Sequence, residues 1–78
     1  MGDDTLKKLF LDTFGVAADQ YGDTLSPDQV QKWDSLGHVQ LVMKLQAAFG
    51  IEFDVDEMME MESVGRIKSI LIKHGVQP

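Results

Sequence analysis

The apolar positions of this chain fall into groups with helical spacing, separated by turn residues. Leu6, Leu9, Phe10, Thr13 and Phe14 share one helical face behind Asp3, Asp4 and Thr5, and Gly15 stops the run, which predicts a first helix. Residues 16–33 hold Gly22, Asp23, Ser26 and Pro27 and read as a long connection, with one helical turn opening at Ser26-Pro27-Asp28 and with Leu25 and Val30 pinned to the core. A second helix runs from Ser35 to Phe49, with Gly50 at the position where helices commonly turn left-handed. Ile51, Phe53 and Val55 alternate with acids as a strand would, but no second strand-like run exists to pair with them, so an extended link is expected. Asp54 and Glu57 have the spacing of a capping box, predicting a short third helix over 55–60. Ser63 caps a last helix whose Val64, Ile67, Ile70 and Leu71 share a face before Gly75 ends it. The expected fold is all-α: a small bundle of three main helices, with a short third helix between the second and the last.

The second helix carries more apolar surface than a core requires. Laid out at about 100° per residue, Leu41, Val42, Leu45 and Phe49 fall within an arc of about 100°, an ordinary core stripe. Leu36, Val39 and Met43 fall roughly opposite it. A bundle this small does not bury both faces of one helix, so the second stripe is expected to stay exposed as a contact surface unless the 16–33 connection covers it. Asp34-Ser35-Leu36 stands at the start of the same helix. A serine there commonly serves as the N-cap, but the position also offers the positive end of the helix and free N–H groups to a phosphate attached to that serine.

Composition narrows the classes. With 78 residues, 44% hydrophobic and 26% charged, the chain reads as one globular domain, too short to house a large active site. The net charge of −6, from 7 basic and 13 acidic residues, argues against nucleic acid as a partner. That charge is unevenly spread: Asp34 to Gly65 has a local net charge of −6, whereas Arg66 to Pro78 has +3. The acidic middle is read either as an attractor of basic partner surfaces or as a plain solvated face. There is no cysteine, hence no disulfide and no thiolate metal site, and a reducing, cytoplasmic setting is expected. No apolar run resembles a signal segment or approaches the ~20 residues of a membrane span, so no stable membrane insertion is expected.

Two kinds of chemistry are weighed and set aside. Ser35 with His38 three residues on has the spacing of a nucleophile and base, but no G-x-S-x-G elbow accompanies them. Asp54, Asp56, Glu57 and Glu60 supply oxygens, but they lack the glycine and the closing glutamate of an EF-hand loop, so no dedicated metal site is expected.

The run Trp33-Asp34-Ser35-Leu36-Gly37-His38-Val39-Gln40-Leu41-Val42, continued by Leu45 and Phe49-Gly50-Ile51, closely resembles the acyl carrier protein family. The resemblance covers nearly the whole chain and implies one acyl or peptidyl carrier domain over residues 1–78. It implies that Ser35 bears 4'-phosphopantetheine, whose terminal thiol holds acyl groups as thioesters, and that the protein is a carrier and not an enzyme. It further implies that Asp34 helps a phosphopantetheinyl transferase recognise the serine. The resemblance also implies that Leu36 adjoins the attachment point and that, with Val39 and Met43, it contacts acyl-loading, condensing and acyl-transfer enzymes. The carrier is expected to work as a monomer in a fatty-acid, polyketide or modified-lipid pathway. The other readings are an aminoacyl or peptidyl carrier, and an interaction module without a prosthetic group.

The chain departs from carriers of bulk fatty-acid synthesis in two respects. Its second helix carries His38, Gln40, Lys44 and Gln46 at polar positions instead of acids, so Glu52, Asp56, Glu57 and Glu60 are expected to supply the attraction for partners. Trp33 before the signature resembles specialised carriers, and its expected role is to wedge the long connection against the core. Met43, Met58, Met59 and Met61 are expected around the point where the arm emerges, with core filling as their plainer role.

Overall fold

The computed structural model describes residues 2–76. Its elements are α1 (Gly2–Phe14), a single 3-10 turn (Pro27–Gln29), α2 (Ser35–Phe49), α3 (Val55–Met59) and α4 (Val64–Lys73). Among the described residues there is no strand, so residues 51–54 form a link between helices, as expected, while Val55 opens α3. No helix among the described residues is long and apolar enough to cross a membrane.

Most helix ends follow the local chemistry of the sequence. Asp54 accepts from the Glu57 amide at 2.8 Å while the Glu57 carboxylate accepts from the Asp54 amide at 3.1 Å, which makes the expected capping box. Ser63 Oγ accepts from the Arg66 amide and opens α4. Gly50 closes α2 at φ 66°, a left-handed conformation that costs glycine little because it has no Cβ. Two boundaries differ. α1 begins at Gly2 and so takes in Asp3 and Asp4. α3 stops at Met59, with Glu60 as its C-cap.

The core forms where the apolar stripes meet. Leu6, Phe10 and Phe14 of α1 pack with Leu41 and Leu45 of α2 and with Ile67 of α4. The long connection closes one side: Leu25, Val30 and Trp33 are all buried, and Trp33 lies stacked against Phe14 and edge-on to Phe10. The same connection is clipped to the start of α4, where the Val64 and Gly65 amides donate to the Leu25 and Asp23 carbonyls at 2.9 and 2.8 Å. Phe49 is only half-buried, at the margin of the core stripe.

Gly37 is needed for a different reason from the glycines that end helices. A Cβ at this position would overlap the backbone carbonyl of Lys32 and press on the Phe14 ring at 3.2 Å, so the first turn of α2 sits directly on the end of the connection. That contact fixes where Ser35, two residues earlier, is presented.

A serine beside a methionine-lined cleft

α2 is capped by Asp34 and not by Ser35. Asp34 has extended backbone angles, and its Oδ1 accepts from the Gly37 amide at 2.8 Å. Its carbonyl accepts from the His38 amide at 2.8 Å. Of the two roles weighed for Ser35, the cap is taken by its neighbour: the aspartate side chain reaches the amide two residues after Ser35, so Ser35 falls at the first helical position. Ser35 is exposed, and neither its hydroxyl nor the Ser35 and Leu36 amides make a hydrogen bond among the described residues. An open hydroxyl and two open N–H groups at the positive end of a 15-residue helix fit a phosphate ester at that position.

Ser35 lines a cleft of about 760 Å³ between the 3-10 turn, the amino end of α2 and the carboxyl end of α3. Ser35, Trp33, His38, Met58, Met59 and Met61 contribute to its walls. The methionines divide between the two roles considered for them: Met61 is buried in the core, Met58 is half-buried, and Met59 and Met43 are exposed.

His38 bridges this cleft. Trp33 Nε1 donates to His38 Nδ1 at 2.9 Å, and His38 Nε2 lies 2.7 Å from the Met58 carbonyl oxygen. An indole N–H can only donate and a carbonyl can only accept, so both bonds form together only in the neutral tautomer with its proton on Nε2. With both ring nitrogens engaged in this way, His38 is not available to Ser35 as a base.

The exposed stripe of α2 is as expected. Leu36 is 68% exposed, Val39 55% and Met43 63%, and the 16–33 connection does not cover them. Val55 and Met59 of α3 are also exposed, apolar surface that sequence reasoning did not single out as exposed. Their spacing of four on one short helix was the available signal.

Of the four acids expected to face partners, Glu52, Asp56 and Glu60 are exposed. Glu57 is not: it is 6% exposed, and both its oxygens lie 2.9 Å from His74 Nε2 just beyond α4. The hydrogen bond from His74 and that from the Asp54 amide hold this carboxyl below its ordinary range. Burial pushes the other way and is outweighed, with help from the positive charges of His74 and Lys73. Glu57 is therefore a structural tie between α3 and the end of α4, which corrects its assignment to the partner surface.

No curated protein matches the chain. Residues 4–71 match the family model of the phosphopantetheine attachment site, a span that includes the cap, the open serine and both walls of the cleft. The chain belongs to that family and is a carrier protein that bears 4'-phosphopantetheine.

Proposed function

We propose that Ser35 is the attachment point and that the protein is an acyl carrier of a fatty-acid, polyketide or modified-lipid pathway. The observation that carries this reading is the open Ser35 hydroxyl at the first position of α2, relieved of capping by Asp34 and set beside a methionine-lined cleft. The prosthetic group supplies a thiol on a flexible arm, to which acyl chains attach as thioesters. The chain's own residues do the rest. The Ser35 and Leu36 amides and the positive end of α2 meet the phosphate charge. Asp34 holds the first turn in place and stands next to the serine for the phosphopantetheinyl transferase to read. Leu36, Val39 and Met43 offer apolar contact to loading, condensing and acyl-transfer enzymes, while Glu52, Asp56 and Glu60 draw basic surfaces toward it.

Residues 1–78 act in this reading as a single carrier domain, working as a monomer in the cytoplasm, in keeping with a chain that has no cysteine. The absence of acids from α2 favours partners other than those of bulk fatty-acid synthesis. The test is incubation with a promiscuous phosphopantetheinyl transferase and coenzyme A. Intact mass should rise by one phosphopantetheine in the wild type and not in Ser35→Ala, and a wild type that gains nothing removes the assignment.

A further inference from the structure

His38 occupies a position that neither the core nor the attachment of an arm requires. It lies three residues after Ser35, so both side chains sit on the same stretch of α2 and line the same cleft. Its ring is stacked nearly parallel to Trp33, at 10° between planes. Through Trp33 it is anchored to the core, and through Nε2 it donates to the Met58 carbonyl. α3 has five residues, so its last carbonyls have little of the helix left to bond with, and that of Met58 is taken up from outside by His38. No other hydrogen bond joins α2 to α3 among the described residues. The residue before Met58 is held separately, by the pairing of Glu57 with His74. α3 is thus tied through Glu57 to the end of α4 and through Met58 to α2, and only the second tie joins residues that line the cleft beside Ser35.

We infer that His38 is a positioning residue that sets how far α3 stands from the amino end of α2, and so sets the length of acyl chain that the cleft beside Ser35 shelters. The inference rests on the proposed carrier function. The occupant is the chain's own cargo, because Ser35 lines the same cleft as Met58, Met59 and Met61, flexible apolar side chains that adapt to aliphatic groups. With the tie intact, α3 cannot swing outward without leaving a donor and an acceptor unpaired, and chains beyond a certain length extend into solvent. Without it, α3 moves and longer chains enter.

The test uses the full chain, loaded at Ser35 with acyl groups from butyryl to dodecanoyl by a promiscuous phosphopantetheinyl transferase and the matching acyl-coenzyme A. In the wild type, methyl resonances of Met58 and Met61 should shift with increasing chain length up to a plateau. Nitrogen-15 spectra should show coupling between Trp33 Nε1 and His38 Nδ1. In His38→Ala the plateau should move to longer chains, and amides of α3 should exchange roughly five- to ten-fold faster. His38→Gln, which can accept from the indole and donate to the carbonyl, should move the plateau back toward the wild-type length. His38→Phe keeps a ring beside Trp33 without either bond and repeats the measurement if His38→Ala does not fold. A residue that merely supports the fold would lower the melting temperature and leave the plateau where it was. An unchanged plateau in a variant that loads normally overturns the inference alone, as do wild-type methyl resonances that respond to no chain. Failure of the wild type to load at all removes the carrier reading, and the inference with it.

Discussion

The Glu57 carboxylate meets His74 Nε2 at 2.9 Å through both oxygens, so a five-residue helix in the middle of the chain is fastened to the residue that ends the last one. The ring of His74 also stands edge-on to Phe53, which places the pair against the link before α3. The native carboxyl has a lower pKa than an unfolded one, so the native state binds fewer protons as pH falls. Its contribution to stability is present above the ordinary carboxylate pKa and is lost as pH drops through the depressed native value. Thermal melts should show wild type above Glu57→Gln at neutral pH, with the gap narrowing in acid. A gap that widens in acid would contradict the assigned direction.

Capping and attachment fall on neighbouring residues and separate cleanly by mutation. Asp34→Ala removes the side chain that accepts from Gly37 and should cost about 0.5–2 kcal/mol in urea unfolding. Ser35→Ala removes an exposed hydroxyl without a partner and should stay within about 0.5 kcal/mol of wild type. The reverse order would return the cap to the serine.

Gly37→Ala should destabilise the fold by about 1–3 kcal/mol, because the new methyl group meets the Lys32 backbone and not a yielding side chain. For a chain of this size the melting temperature should fall by roughly 4–8 °C per kcal/mol. Gln40→Ala, an exposed change on the same helix, is the control and should be nearly silent.

Val39→Glu and Met43→Glu place charges on side chains that are already in water, and far-UV helicity should be unchanged. Rates of loading by partner enzymes should fall in both. Collapse of the helicity would mean that this stripe belongs to the core.

The elements, the caps of α3 and α4 and the division of α2 into a buried and an exposed stripe were legible in the amino-acid order. Each depends on residues within about four positions of one another: Asp54 with Glu57, Ser63 with Arg66, Leu41 with Leu45. The open serine was legible as a position but not as a state, because the choice of Asp34 over Ser35 as cap is made by backbone angles one residue apart.

What only the tertiary structure decided are the long-range ties. Glu57 reads as one more surface acid until the fold brings His74 to it from 17 residues away. His38 reads as a polar residue on a helix until Met58, 20 residues on, comes within 2.7 Å. Gly37 reads as an early glycine until the Lys32 backbone presses against it. Helical periodicity and capping follow from local geometry, whereas burial, ring tautomer and carboxyl pKa depend on which distant groups the packed core brings into contact.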